Sequence, residues 1–224
     1  MARFRRLETL QTIVGSGLVP IFYNPDLKVA MDVARAVRAG GSRILEFTNR
    51  GEQATAVFGE LVSRCRKELP DLILGIGTVS DAATAALYLS LGADFVVSPV
   101  LSPDVVRVAN RRKVPVLPGC GSATEIAAAE ELGCEVIKVF PADALGGPSF
   151  IKAILGPSPW SSLMPTGGVS LNADSVQSWI RAGAVAVGMG SALLAKDVVA
   201  KGDFDTITER VGQVLGWVRE ARNE

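Results

Sequence analysis

The 224-residue chain contains no histidine. That absence removes Ser-His-Asp and Cys-His arrangements, imidazole metal sites and the usual near-neutral acid–base group. Proton transfer then falls to Glu, Asp, Lys, Tyr, Cys or bound water. Cysteine is scarce too. Cys65, Cys120 and Cys134 are odd in number and have no metal-ligand spacing. They read as reduced thiols of a cytoplasmic protein. Cys120 stands in a glycine turn that could lie near a site, but it reads first as a small buried hydrophobe. No apolar run of about 18 residues suggests a membrane span. The basic start, Met1-Ala2-Arg3-Phe4-Arg5-Arg6, lacks the apolar stretch of a signal peptide. An excess of one charge is also missing: Lys plus Arg and Asp plus Glu number 23 each. Nothing therefore draws the chain as a whole to nucleic acid or to an anionic membrane. A small anionic substrate is still compatible, because a site can be cationic on a neutral protein.

What is present is a sizeable apolar fraction, 48%, and no tract of disordered composition. Phe4, Leu7, Leu10, Ile13 and Val14 have helical spacing, and Gly15-Ser16-Gly17 stops that helix. Residues 18–23 read as a strand. Asn24-Pro25-Asp26 opens a helix that Gly40-Gly41 ends. The beat then repeats, with strands expected over 43–48, 72–76, 94–98, 115–117, 135–139, 162–165 and 185–188. Helices are expected over 53–69, 81–91, 103–112, 123–132, 148–155 and 173–182, with a closing helix over 205–222. Such alternation with short connections argues a parallel sheet. The strand count matches a closed barrel of about eight βα units. A doubly wound sheet would want a glycine fingerprint after its first strand, and Pro20-Ile21-Phe22-Tyr23-Asn24-Pro25 has none. The expectation is one domain over residues 1–224, a (β/α)8 TIM barrel with an extra N-terminal helix capping its lower end.

The stretch Cys134-Glu135-Val136-Ile137-Lys138-Val139-Phe140-Pro141-Ala142 departs from the apolar pattern of a buried strand. A lysine buried there would lower its pKa. It would then be a nucleophile toward carbonyls, able to form a Schiff base. The alternative is a lysine that snorkels past the strand end into water. Barrels of this kind carry chemistry at the C-terminal ends of their strands. Alternation puts Glu46, Thr48 and Arg50 on one side of the second strand, and Val136, Lys138 and Phe140 on one side of the sixth. Those strands lie opposite each other in a barrel of eight, so Glu46 can approach Lys138, either to move protons or to form a structural ion pair. Arg50 offers a fork for a carboxylate, or is a solvated loop residue. Thr166-Gly167-Gly168 and Gly188-Met189-Gly190-Ser191 follow the last two strands, a common place for phosphate. Ser191 is expected to open a short helix there, and ordinary glycine turns are the alternative.

Taken together, Glu46-Phe47-Thr48-Asn49-Arg50, Gly75-Ile76-Gly77-Thr78-Val79, Val97-Ser98-Pro99, Leu117-Pro118-Gly119, the lysine strand and Pro165-Thr166-Gly167-Gly168 resemble the KDPG/KHG aldolases. The resemblance covers nearly the whole chain. It implies a homotrimeric class I lyase of (β/α)8 fold that needs no metal or other cofactor. Its substrate would be 2-dehydro-3-deoxy-6-phosphogluconate, 4-hydroxy-2-oxoglutarate or both. The products would be pyruvate with glyceraldehyde 3-phosphate or glyoxylate. On that resemblance Lys138 forms the imine and Glu46 transfers protons. Arg50 and Thr78 hold the pyruvyl carboxylate, and Pro99 and Phe140 shape the pocket. Thr166 contacts the sugar hydroxyls, and Gly167, Gly168 and Ser191 bind phosphate. Asn49, Val100 and Gly121-Ser122 depart from the family pattern and are expected at the mouth, where they would bear on the aldehyde half of the substrate. The rival readings are a related Schiff-base lyase with another aldehyde, and a phosphate-ligand barrel without catalysis.

Overall fold

The turns that leave the strands carry their own helix starts. Asp26, Asp81, Ser102, Ser122 and Asn172 each accept a hydrogen bond from a backbone N–H of the first helical turn. Such a cap contributes about 1 kcal/mol. In the computed structural model, which describes residues 1–223, the elements begin with α1 (Arg6–Ser16), β1 (Leu18–Phe22), α2 (Leu27–Ala39), β2 (Ile44–Thr48) and α3 (Ala54–Glu68). They continue with β3 (Ile73–Gly77), α4 (Ala82–Leu91), β4 (Val96–Val97), α5 (Pro103–Arg111), β5 (Val116–Leu117) and β6 (Gly119–Cys120). Then come α6 (Ala123–Glu131), β7 (Ile137–Val139), α7 (Pro148–Leu155), β8 (Leu163–Pro165) and α8 (Ala173–Arg181). The chain closes with β9 (Val187–Met189), α9 (Lys196–Lys201) and α10 (Phe204–Asn223).

All pairings are parallel. One sheet runs β5-β4-β3-β2-β1-β9 and the other β6-β7-β8. The fold is thus α/β with a curled parallel sheet. The fifth strand continues past the stretch expected for it. Pro118 lacks an N–H and cannot donate to a ladder, and it divides β5 from β6. Its carbonyl still accepts from the Lys138 N–H at 3.0 Å. On the other side, a parallel bridge joins Thr166 to Gly188, and the Val185 N–H donates to the Leu163 carbonyl at 2.9 Å.

Two apolar clusters follow from the strand period of two. The larger lies between the sheet and its helices. The smaller fills the concave face. Val19, Ile44, Ile73, Phe95, Leu117, Val136, Met164 and Ala186 meet there, with Leu10 and Ile13 of α1 packed beneath. Adding two residues to these positions gives Ile21, Glu46, Gly75, Val97, Gly119, Lys138, Thr166 and Gly188. The layer above the packed floor is therefore where the polar residues emerge, without any change of strand geometry.

One expectation is corrected and one element was not foreseen. Residues 191–194 form a single turn, with the Leu193 and Leu194 N–H groups donating to the Gly190 carbonyl at 3.0 and 2.8 Å, so Ser191 does not open a helix. The helix begins at Lys196 and ends at Gly202, which takes the left-handed conformation. A six-residue helix is too short to leave a periodic signature. Among the described residues no helix is long and apolar enough to cross a membrane.

Candidate active site

A cavity of about 970 Å³ opens at the C-terminal ends of the strands. Every site residue expected from the sequence lines it: Glu46, Arg50, Thr78, Pro99, Lys138, Phe140, Thr166, Gly167, Gly168 and Ser191.

Lys138, in the middle of β7, is 7% exposed, so it does not snorkel to water. Burial pushes its pKa below the usual lysine value. The Glu46 carboxylate opposes that shift and the Arg50 guanidinium adds to it. Its Nζ sits 4.5 Å from the centroid of the Phe140 ring, a cation–π contact that favours the charged form. Glu46, in β2, is 1% exposed. Burial raises its carboxyl to about 7, against the pull of Lys138 and Arg50. No ion pair joins Glu46 to Lys138 among the described residues, and the buried Glu46 Oε2 has no hydrogen-bond partner. The two groups are thus electrostatically coupled and unspent, which a structural ion pair would not be.

The backbone makes room for them. A Cβ on Gly77 would lie 1.8 Å from Glu46 Oε1, and one on Gly188 would lie 2.3 Å from Thr166 Oγ1. Real side chains cannot approach so closely, so both polar groups need glycine across the sheet. Thr166 is buried and its hydroxyl has no partner among the described residues. Thr78 adopts φ +62°, a conformation that is an outlier for a β-branched residue and that clusters at functional sites. Gly167 and Gly168 both have positive φ, +89° and +78°.

The family departures stand past the strand ends without lining the cavity. Asn49 turns outward, and its Oδ1 accepts from the hydroxyl of buried Tyr88 at 2.7 Å. Gly121 and Ser122 start α6, where Glu125 accepts from the Gly121 N–H at 2.7 Å. Val100 is 55% exposed. None of the four lines the cavity. Cys120 is buried, with its thiol pushed up to about 12, as an inert packing residue would be. Among the described residues no group of acidic or cysteine side chains is placed to hold a metal. Sequence reasoning missed Tyr23, Asn24 and Lys196, which also line the cavity. Tyr23 was legible by parity, two residues beyond Ile21. Lys196 was not, because a turn of irregular backbone precedes it.

A curled parallel sheet with a buried, depressed-pKa lysine and a buried carboxylate in one concave mouth defines an enzyme of the Schiff-base lyase class. The family model for KDPG and KHG aldolase matches residues 11–210. The 2-dehydro-3-deoxy-phosphogluconate aldolase of Pseudoalteromonas atlantica is 36% identical over 88% of this chain and 89% of its own length. The KHG/KDPG aldolase of Escherichia coli is 32% identical over 89% of this chain and 91% of its own. A solved KDPG aldolase from Legionella pneumophila, with pyruvate captured at low pH as a covalent carbinolamine intermediate, superposes with a TM-score of 0.82. It is 28% identical, over 91% of this chain and 96% of its own. The chain belongs to the KDPG and KHG aldolase family, and it is a class I aldolase working through a covalent imine.

Proposed function

We propose that this chain cleaves 2-dehydro-3-deoxy-6-phosphogluconate, 4-hydroxy-2-oxoglutarate or both, giving pyruvate with glyceraldehyde 3-phosphate or glyoxylate. The observation that carries the residue assignment is the pairing of Lys138, depressed by burial, with Glu46, raised to about 7, in one cavity. Neutral Lys138 attacks the C2 ketone to give a carbinolamine, and the protonated Glu46 carboxyl gives its proton to the departing hydroxyl, so that water leaves and the protonated imine and a Glu46 carboxylate remain. Glu46 takes the C4 hydroxyl proton, the C3–C4 bond breaks, and its electron pair moves into the imine to leave an enamine and the free aldehyde. Glu46 returns the proton to C3. Water then hydrolyses the pyruvyl imine and frees Lys138.

Arg50 and Thr78 hold the carboxylate beside the C2 carbon. Pro99 and Phe140 wall the pocket, and Thr166 donates to the substrate hydroxyls with its otherwise unpartnered Oγ1. Gly167, Gly168 and Ser191 bind the phosphate. The same reading takes the two sheets as one closed (β/α)8 barrel with α1 as an extra N-terminal helix. The Thr166–Gly188 bridge and the concave side-chain layer support it. It also takes the chain as a cytoplasmic homotrimer. Three buried free thiols support a reducing compartment, and exposed apolar side chains such as Leu87 and Val100 support a covered surface.

Borohydride reduction in the presence of pyruvate tests the core of this reading. The wild-type chain should trap pyruvate on Lys138, as located by peptide mapping. Lys138→Arg should trap none and lose cleavage to background, since arginine stays protonated. An adduct on Lys152 of α7, or cleavage retained by the arginine variant, would move the imine elsewhere. No adduct at all would leave a ligand-binding barrel.

A further inference from the structure

The charge lining the cavity is unbalanced. Arg50, Lys138 and Lys196 line it, and Glu46 is its sole acid among the described residues. Glu46 and Lys138 offset each other, so Arg50 and Lys196 carry the excess. They stand on different flanks. Arg50 follows β2 and Lys196 begins α9 after β9, with β1 between those strands in the sheet. Two strand spacings amount to roughly 10 Å, a span that a three-carbon keto acid does not fill. The cavity does extend that far, because Val199 and Ala200 of α9 also line it.

Lys196 is also uncommitted. Its neighbour Asp197 faces Lys201 at 4.0 Å, and among the described residues no carboxylate lines the cavity on the β8–β9 flank, where Asp143 packs against the Gly167-Gly168 turn without lining it. The turns at Gly167-Gly168 and Gly190-Ser191 supply backbone and one hydroxyl but no cation.

We infer that Lys196 binds the anionic group at the end of the substrate remote from its keto acid, and that it makes the enzyme select for that charge. This inference rests on the aldolase reading above. It replaces a phosphate end held by neutral groups alone with one held by a mobile point charge. Lys196 is exposed, so the effect is that of a partly screened contact, on the order of tenfold in binding.

The test compares kcat/KM for 2-dehydro-3-deoxy-6-phosphogluconate with that for its dephosphorylated counterpart, in wild type, Lys196→Met and Lys196→Arg. In the methionine variant the ratio should fall about tenfold, through a higher KM for the phosphorylated substrate, and arginine should restore most of it. Added salt should lower the wild-type ratio and affect the methionine variant less. A third arm with 4-hydroxy-2-oxoglutarate shows whether a far carboxylate is read as well; a matching rise in its KM supports recognition of the charge itself. Borohydride trapping of pyruvate on the same preparations separates the two claims. A trapped adduct with an unchanged ratio, or with equal losses on both sugar acids, overturns the role of Lys196 alone. Failure of wild type to trap pyruvate overturns the aldolase reading and this inference with it.

Discussion

Lys138 and Glu46 are both buried, and burial displaces each from its ordinary proton affinity. Burial is the largest influence on both, and mutual attraction and Arg50 are corrections. The corrections have opposite signs at the lysine. The Glu46 carboxylate raises its pKa, and the Arg50 guanidinium lowers it. On the proposed role of Lys138, imine formation needs the neutral amine, so its rate rises with pH through the lysine pKa. Glu46→Gln should therefore shift the pH profile of pyruvate imine formation to lower pH, and Arg50→Gln should shift it to higher pH. Rapid-mixing measurements of imine formation, read by midpoint rather than amplitude, separate these shifts from loss of binding. Shifts in the same direction in both variants would contradict the electrostatic picture.

Alternation along the strands is the feature of the elements that made the site readable. Ile44, Glu46 and Thr48 share a face, as do Val136, Lys138 and Phe140, and the same rule assigns the packed floor beneath them. What alternation cannot report is where the backbone stops being regular. Asn49 lies just past β2, and position alone put it at the mouth, but its Oδ1 accepts from the Tyr88 hydroxyl on α4. That contact has a measurable consequence. Asn49→Leu leaves the Tyr88 hydroxyl with only the weaker contact to Thr55 Oγ1 at 3.3 Å. The cost is about 1–2 kcal/mol, or a fall in Tm of about 2–8 °C for a chain of this size. Cleavage kinetics should change little. A large drop in kcat/KM at constant Tm would instead place Asn49 in the site. Lys196 was hidden for a related reason, since a turn and a six-residue helix carry no period to follow. Pro118 was visible as a strand end, but the resumption of the strand at Gly119 was not, because it depends on pairing with Lys138 across the sheet. Gly168 shows a limit of another kind. Its φ is +78°, and a Cβ there would meet Asp143 Cβ at 2.2 Å. Any substitution at this position strains the turn whatever it does to phosphate, so Lys196 is the cleaner probe of that end.

Across the whole molecule the charges cancel, but the lining of the mouth carries more cations than acids. Below it the concave face is packed solid, with Leu10 and Ile13 of α1 against Val19, Ile44, Ile73 and their neighbours. Lys138 stands one layer above that floor, so whatever it holds lies deepest in the cavity. Pyruvate stays tethered at the innermost position until water releases it, while the aldehyde, nearer the threshold and untethered, departs first. In the synthetic direction pyruvate must then enter ahead of the aldehyde. Steady-state product inhibition reads this directly: pyruvate should compete with the sugar acid, and the aldehyde should inhibit noncompetitively. The reverse pattern would contradict a covalent tether on pyruvate.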